Sequence, residues 1–404
     1  MIYDCVIIGA GASGLYCAAR LLSSKALNAA VIDSGSRPGR KLLMTGGGRC
    51  NLTNRSIDIS GYYTDDKDRL SHILSSHGSE ESIRFFTDEI GLSLSFENDL
   101  VYPSTYRAST VLDSLLLYLK EHDCRFIFDT PVSDVSYEDG LYILNSDIKA
   151  KTVVLATGGA SYPETGSNGS FTELLRSFQG INITPLSPSL VPLRTAEKDI
   201  FALSGKRVKC SLELYSDKKM QEFVAKSKGE MLFTDYGISG ICVLDISGYA
   251  IRAVRAGQKP AIKAVLCDED KVHYNLSRFT DRTVADALSG ILMSELVSVL
   301  LDRAGIDKNR TVSGLNDREK EKVIESVKEM KLTVTGSRSF DQAQVTTGGV
   351  DLSSLNEDLS VPGNNGLFIC GESLNCDGIC GGYNLQFAWS SADLVSKGVI
   401  RCLS

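Results

Sequence analysis

Residues 2–33 read IYDCVIIGAGASGLYCAARLLSSKALNAAVID, and this stretch decides the fold of the chain. Asp4–Ile8 is a short apolar run that predicts a buried strand, and the apolar residues of 12–22 recur at helical spacing. Ala29–Ile32 predicts a second buried strand. A strand, a helix and a strand within about 30 residues are typical of a parallel α/β sheet.

The turn between the first strand and the helix carries a glycine fingerprint. Gly9, Gly11 and Gly14 match the pattern G-x-G-x-x-G, and Asp33 ends the second strand nineteen residues after Gly14. In a Rossmann-like unit these glycines permit a tight turn and close approach of a diphosphate, and the helix N-terminus attracts the anion. Asp33 can accept hydrogen bonds from a ribose. The pattern therefore predicts dinucleotide binding; the alternative is a glycine turn in an ordinary α/β sheet.

The next segment favours FAD over NAD as that dinucleotide. Residues 35–54 read GSRPGRKLLMTGGGRCNLTN, a basic pair followed by three consecutive glycines. The cations can neutralise a diphosphate, and glycine backbone can lie flat against a large planar ring. The alternative is a flexible glycine loop.

A separate nicotinamide domain is not indicated by the sequence. Residues 155–166, LATGGASYPETG, follow a predicted strand but lack the G-x-G-x-x-G spacing. We therefore expect Thr157 and Gly158 to close over the same dinucleotide.

Composition predicts a folded protein of two or three domains, because 404 residues with 43% hydrophobic residues exceed what one core usually serves. No run approaches the roughly 20 apolar residues of a membrane span, and no signal peptide is indicated. Eleven cysteines, an odd number, suit free thiols in a reducing compartment. These features predict a cytoplasmic protein without a membrane partner.

The charge is unevenly distributed along the chain. Residues 190–340 carry 25 Lys and Arg against 21 Asp and Glu, a net charge of +4, whereas the rest of the chain has a net charge of −11. A loose basic run lies between Lys206 and Lys228. The run is compatible with RNA binding, and the alternative is a solvated strand face.

Five motifs together resemble one known family across residues 2–400. They are GAGASG, GRKLLMTGGGRCNLTN, LATGG, VTTGGV at 345–350 and GESLNCDGICGGYNLQFAWSS at 371–391. The chain resembles the aminoacetone-oxidase-family FAD-binding enzymes, which include bile-acid 3-dehydro-4,6-reductase-like NAD(P)/FAD-dependent oxidoreductases. The resemblance implies an α/β, Rossmann-like FAD-binding domain of the glutathione-reductase type with two inserts. The implied domains are FAD-binding 1–188 and 338–404, a β-barrel-like insert 189–273 and 331–337, and a helical insert 274–330.

The resemblance also implies roles for matched positions. Gly9, Gly11, Ser13, Gly14 and Asp33 would hold the adenosine diphosphate of a non-covalent FAD, and the Val132 backbone would face adenine. The residues implied to lie along the ribityl chain and the isoalloxazine are Arg40, Lys41, Gly47, Gly48, Cys50 and Asn51. Gly371 and Glu372 are implied to lie beside the ribityl and phosphate groups. The start of the last helix is implied to face the flavin with Gly381, Gly382, Tyr383, Asn384 and Leu385.

The cysteines near the C-terminus raise the alternative of a metal or disulfide site. Cys376 and Cys380 have no second C-x-x-C and no histidine nearby, so we expect no metal site. Cys50 stands alone after the fingerprint, which disfavours dithiol chemistry. Cys50 and Cys380 are candidate proton donors near the flavin; the alternative is that they are small buried hydrophobes.

The insert carries strand and helix patterns. VKCSLELYS and AIKAVLC alternate as strands do, and residues 281–331 read as helices. Asn316 with Glu319 predicts a capping box that begins the helix NDREKEKVIESVKEMK.

The predicted function is FAD-dependent oxidoreduction, with hydride transfer through flavin N5. The first hypothesis is reduction of an activated C=C bond in a small or steroid-like molecule, driven by transiently bound NADH or NADPH, or the reverse oxidation. The second is an RNA-modifying flavoenzyme that converts uridine to dihydrouridine in ribosomal RNA. The third is a noncatalytic flavin-binding or electron-relay protein. The oligomeric state is left open.

Overall fold

The computed structural model describes residues 1–404. Contacts divide the chain into two compact units, a first unit of Met1–Pro188 with Ala343–Ser404 and a second unit of Ser189–Gln342. The finer division into three domains stays a prediction.

The first part of the chain contains eleven strands and six α-helices. The strands are β1 (Ile2–Ile8), β2 (Ala29–Ile32), β3 (Thr53–Asn54), β4 (Tyr62–Thr64), β5 (Leu94–Glu97), β6 (Leu100–Pro103), β7 (Arg125–Ile127), β8 (Val135–Glu138), β9 (Leu141–Leu144), β10 (Ile148–Leu155) and β11 (Ile183–Ser189). The helices are α1 (Ala12–Ser24), α2 (Arg40–Met44), α3 (Lys67–Ser76), α4 (Ser79–Arg84), α5 (Ala108–Glu121) and α6 (Phe171–Leu174).

The middle and last parts supply the remaining elements. The middle strands are β12 (Leu193–Thr195), β13 (Arg207–Tyr215), β14 (Phe223–Thr234), β15 (Gly237–Ser239), β16 (Ala261–Val265) and β17 (Glu329–Ser337). The middle helices are α7 (Ile241–Arg255), α8 (Glu269–Arg278), α9 (Val284–Leu288), α10 (Ser294–Ala304) and α11 (Asp317–Lys328). The last elements are β18 (Val345–Val350), β19 (Leu367–Ile369), β20 (Cys376–Gly378) and α12 (Tyr383–Cys402).

The main sheet of the first unit has the order β7-β2-β1-β10-β9-β8, with β19 also paired to β10. β1, β2, β7, β10 and β19 are parallel, and the hairpin β8–β9 joins antiparallel. All four residues of β2 and the last four of β1 are buried. Parallel strands covered on both faces are expected to be this apolar. The strand–helix–strand pattern predicted from residues 2–33 is confirmed.

The carboxyl ends of these parallel strands meet at one edge of the sheet. Gly9 N donates to the Ile32 carbonyl, Ala156 N donates to the Ile8 carbonyl, and Cys370 N donates to the Leu155 carbonyl. Ligands of open α/β sheets bind at this edge. The chain therefore brings its N-terminal, middle and C-terminal glycine motifs to one place.

The second unit is built around a closed barrel of the strands β12-β15-β14-β13-β16-β17. Burial alternates along β13, as expected when one face of a strand packs into a core. Side chains of the barrel and of α8, α10 and α11 belong to one hydrophobic core. The predicted β-barrel-like and helical parts are both present.

The predicted capping box begins α11. Glu319 N donates to Asn316 Oδ1 and Asn316 N donates to Glu319 Oε2, both at 2.9 Å. The predicted end of this helix was wrong, because the helix stops at Lys328 and Met330 lies in β17. Met330 pairs with Ala264 in the barrel ladder, so closure of the barrel overrides helix propensity here.

No helix of the chain is both long enough and apolar enough to cross a membrane.

Candidate functional site

A cavity of about 490 Å³ lies within the first unit at the carboxyl edge of the parallel sheet. Most of the predicted cofactor residues line it: Gly9, Gly11, Ser13, Asp33, Arg40, Lys41, Val132, Thr157, Gly158, Glu372, Asn384 and Leu385. The others are not in its lining, and these are Gly14, Gly47, Gly48, Cys50, Asn51, Gly371, Gly381, Gly382 and Tyr383.

The three glycines of the fingerprint have different physical requirements. A Cβ atom on Gly9, whose φ is +110°, would lie 2.4 Å from the Ala156 carbonyl oxygen. A Cβ atom on Gly14 would lie 1.9 Å from the Gly9 carbonyl oxygen, whereas one on Gly11 would meet no atom within 4 Å. Gly9 and Gly14 are therefore required by the packing of the turn. Gly11 instead leaves open space beside the cavity.

The start of α1 and the end of β2 place opposite partial charges at the cavity wall. Gly11 is the N-cap residue of α1 and supplies no capping side chain, so the first amides of the helix are offered to a ligand. The Asp33 carboxylate accepts hydrogen bonds from Ala10 N (2.7 Å) and Gly35 N (2.8 Å). These bonds hold Asp33 at the end of β2, and each carboxylate oxygen retains a second lone pair for a hydroxyl donor.

Lys41 and Glu372 form an ion pair in the cavity wall. Lys41 Nζ lies 2.5 Å from Glu372 Oε2, and both side chains are about one-fifth exposed. Lys41 also donates to Ser161 Oγ (2.9 Å), and Glu372 Oε1 accepts from Thr346 N (2.8 Å) and from Ser161 Oγ (3.0 Å). Hydrogen bonds thereby join residues from α2, β18 and the turn after β19, so the Lys41 and Glu372 side chains have a fixed position.

The triple-glycine turn adopts a left-handed backbone. Gly46, Gly47 and Gly48 have φ values of 58°, 66° and 86°, which favour glycine. Cys50 follows with φ 56° and is fully buried, and burial raises the pKa of its thiol to about 12. The side-chain amide of Asn51 is oriented so that its nitrogen and its oxygen both have hydrogen-bond partners. In this orientation the oxygen accepts from Gly382 N (3.1 Å).

The start of α12 is fixed by close backbone contacts. A Cβ atom on Gly382, whose φ is +92°, would lie 2.6 Å from the Thr53 carbonyl carbon. Asn384 accepts from Gly378 N (2.9 Å) and donates to the Gly378 carbonyl (2.8 Å), which closes the loop before the helix. The N-terminus of α12 therefore has a defined position, and two residues of its first turn, Asn384 and Leu385, lie in the cavity wall.

Gly371 was predicted to contact the cofactor, but it lies outside the cavity lining and packs against other parts of the protein. Its φ is +73°, and a Cβ atom there would lie 2.3 Å from Ser13 Oγ. Gly371 N donates to Ser391 Oγ (3.0 Å). The turn after β19 thus packs directly on α1 and α12.

Several lining residues were missed by the sequence reasoning. They are Ala10, Ala12, Ser34, Arg37, Thr130, Pro131, Ser133, Thr165, Gly166, Ser167, Asn168, Ser170, Glu173, Gln344, Val345, Cys376, Phe387 and Ala388, among others. Half of these named residues lie within three positions of a predicted cofactor residue, so for them the available signal was proximity in sequence. The segment 165–170 is different: its TGSNGS composition marks a turn but no ligand.

The late cysteines are not grouped with other side chains that could ligate a metal ion. All eleven cysteines are free thiols, and no group of three or more His, Cys, Asp or Glu side chains is arranged to hold a metal ion. Cys376 lines the cavity, and burial raises the pKa of its thiol well above the usual value. Cys380 is half-buried and outside the lining.

Comparisons with known proteins agree over nearly the full chain. A family model described as "HI0933-like protein Rossmann domain" matches residues 3–398. A 3-dehydro-bile acid delta(4,6)-reductase of Clostridium scindens is 30% identical over 403 residues, which cover 97% of each chain. A ribosomal RNA dihydrouridine synthase of Haemophilus influenzae is 27% identical, with 98% of each chain covered.

A solved structure has a similar fold. A 3-ketosteroid delta1-dehydrogenase from Sterolibacterium denitrificans superposes with a TM-score of 0.52 and 12% identity, with 99% of each chain covered. At that identity the likeness concerns the fold alone. From the family match, the full-length relatives and the site geometry, the chain belongs to the HI0933-like family and has the Rossmann-type FAD-binding fold of flavin-dependent oxidoreductases.

Proposed function

We propose that the protein is an FAD-dependent oxidoreductase that uses NADH or NADPH to reduce an activated carbon–carbon double bond in a small or steroid-like molecule. The cavity in this member of the HI0933-like family, whose family model matches residues 3–398, carries the FAD part of this proposal. The names of two relatives, a bile acid delta(4,6)-reductase and a dihydrouridine synthase, both denote the saturation of a double bond. That shared chemistry supports reduction as the direction.

The residues of the cavity fit an adenosine diphosphate. The open space at Gly11 admits a group that lies against the backbone, and the start of α1 attracts its negative charge. Arg40, whose guanidinium lies 3.9 Å from Asp33 Oδ1, adds a positive charge to the same wall. Asp33 would accept from the ribose hydroxyls.

FAD, when bound, supplies hydride transfer at its N5 atom. The chain would bind and orient it. Lys41 and Glu372 would hold the ribityl side, and the N-terminus of α12 would favour negative charge on the flavin ring through the helix dipole. In the overall reaction NAD(P)H gives two electrons and a proton, solvent gives the second proton, and the double bond gains two hydrogens.

The test is to purify the protein, identify the released cofactor and follow flavin absorbance without oxygen. We expect bleaching by NADH or NADPH and recovery of the oxidised spectrum on addition of a steroid 4,6-dien-3-one. The variant Gly11→Ala, purified in the same way, is the matched flavin-depleted control. A wild-type protein that takes up no FAD, or whose flavin is indifferent to both nicotinamides, would refute the proposal.

RNA is a second candidate substrate because of one feature of the barrel surface. Lys209 and Lys228 lie exposed on the β13–β14 ladder and form no ion pair. Lys218 and Lys219, between β13 and β14, are also exposed and form no ion pair. Three cations of the basic run are neutralised: Arg207 pairs with Glu230 (2.7 Å), Lys206 with Glu295 (2.6 Å) and Lys226 with Glu213 (3.4 Å).

Four unpaired lysines, of which only Lys209 and Lys228 lie on the ladder, are a small electrostatic footprint, so RNA ranks below a small molecule. Retention of ribosomal RNA at about 50 mM salt, lost near 200 mM and weakened by Lys209→Gln with Lys228→Gln, would favour it. Equal retention by wild type and the double variant would remove the barrel surface as its binding site.

A further inference from the structure

A buried hydrogen-bond network joins the segment after the triple-glycine turn to the final helix. Thr53 Oγ1 donates to Gln386 Oε1 at 2.6 Å, and the two side chains are 1% and 0% exposed. Gln386 Nε2 donates to the His77 carbonyl (3.1 Å) and to Ser390 Oγ (2.9 Å). Both ends of this buried amide are therefore satisfied, as a buried polar group requires.

Further hydrogen bonds join the same two segments, residues 51–54 and 381–389, which together are called the junction. They are Trp389 Nε1 to the Leu52 carbonyl (2.8 Å), Asn54 Nδ2 to the Gly381 carbonyl (3.1 Å) and Gly382 N to Asn51 Oδ1 (3.1 Å). Gly382 also has no room for a Cβ atom against Thr53. The junction is thus both hydrogen-bonded and tightly packed.

The network does more than pack two segments together. Apolar contacts tolerate small shifts, whereas a buried donor or acceptor that loses its partner bears the full desolvation cost. A slide of α12 along β3 would leave Gln386 or Thr53 unpaired. The junction therefore fixes one relative position of the Gly46–Gly48 turn, which precedes it, and the N-terminus of α12.

We propose that Thr53 and Gln386 are positioning residues of the flavin site. This rests on the proposed FAD binding and on the sequence prediction that the triple-glycine turn faces the flavin ring. Thr45, directly before that turn, and Asn384 and Leu385 of α12 line the cavity, whereas Gly47 and Gly48 do not. Neither Thr53 nor Gln386 lines the cavity. They act by holding those two backbone segments at the separation that the ring requires.

The test compares Thr53→Val with Thr53→Ser. Valine keeps the shape of threonine but removes the hydroxyl, so Gln386 Oε1 loses its donor, whereas serine keeps the hydroxyl. FAD affinity is measured by quenching of Trp389, the single tryptophan of the chain, which lies in the junction. The visible spectrum and midpoint potential of the bound flavin are recorded, and the stability of the flavin-free protein is measured separately.

We expect Thr53→Val to weaken FAD binding about tenfold and to shift the flavin spectrum and potential, while Thr53→Ser stays within about twofold of wild type. A Thr53→Val protein that is less stable without FAD yet has wild-type affinity, spectrum and potential would reduce the network to a structural role and overturn the proposal. If wild type binds no FAD, the proposed function fails first, and the two failures are distinguished.

A second variant covers the case in which Thr53→Val does not fold. Trp389→Phe keeps an aromatic ring in the junction but removes the donor to the Leu52 carbonyl. Its affinity is followed by flavin fluorescence in place of tryptophan quenching. The same shift in affinity, spectrum and potential is expected, and wild-type values would overturn the proposal.

Discussion

Replacing Gly11 by alanine separates the ligand requirement of the glycine fingerprint from its folding requirement. Gly11 has φ −84° and ψ −169°, a backbone conformation open to alanine, and a Cβ atom there meets nothing within 4 Å. Because alanine also restricts the unfolded chain, flavin-free Gly11→Ala is expected to be as stable as wild type or about 0.4–1 kcal/mol more stable.

The cost of Gly11→Ala falls on the ligand. The new methyl group occupies the space through which a diphosphate would approach the amides of α1. Losing one hydrogen bond to a charged group costs about 1.5–3 kcal/mol, and the upper part of that range is roughly a hundredfold in affinity. Gly14→Ala is the opposite case. Its Cβ atom would lie 1.9 Å from the Gly9 carbonyl oxygen, so overpacking should destabilise the flavin-free fold by about 1–3 kcal/mol.

The assay titrates each flavin-free protein with FAD and follows the quenching of flavin fluorescence, alongside urea denaturation without FAD. We expect Gly11→Ala to lose affinity without losing stability, and Gly14→Ala to lose stability. A Gly11→Ala protein that binds FAD with wild-type affinity would refute the assignment of this cavity wall to the diphosphate.

Three further perturbations test other parts of the structure. Lys41→Met should weaken FAD binding about tenfold, because the Glu372 carboxylate loses its cation and faces the cofactor without a counter-charge. Lys41→Arg should retain part of the affinity, and fluorescence titration with FAD measures both variants. Burial lowers the pKa of His77 from 6.5 to about 4, so the unfolded state takes up the proton first as pH falls. Stability should therefore drop by about 3 kcal/mol between pH 6.5 and 4, and a His77→Gln protein with the same loss in urea denaturation would contradict this. Asn316→Ala removes the cap of α11 and should lower the free energy of unfolding by about 1 kcal/mol in urea denaturation. We expect no change in FAD affinity, because α11 belongs to the second unit.

Local pattern was enough to predict the features whose interacting groups are close together in the sequence. The fingerprint of Gly9, Gly11 and Gly14 predicted a turn between β1 and α1, and that turn is present. Asn316 and Glu319 predicted the start of α11 from two residues three apart. Such features depend on neighbours within one turn of chain, so the sequence contains all the interacting groups.

The sequence alone predicted a Rossmann-like first strand, helix and strand and the alternating strands of the insert, and the structure contains both. It also predicted the residue types of a dinucleotide site, which stays a prediction. Only the tertiary structure decided that Lys41 meets Glu372, that Gln386 meets Thr53, and that Met330 continues a barrel strand instead of a helix. Lys41 and Glu372 are 331 positions apart in the sequence, and Thr53 and Gln386 are 333 positions apart. Met330 and its barrel partner Ala264 are 66 positions apart. No local propensity encodes such a pair. Its two residues stabilise each other only after distant segments of the chain have folded together.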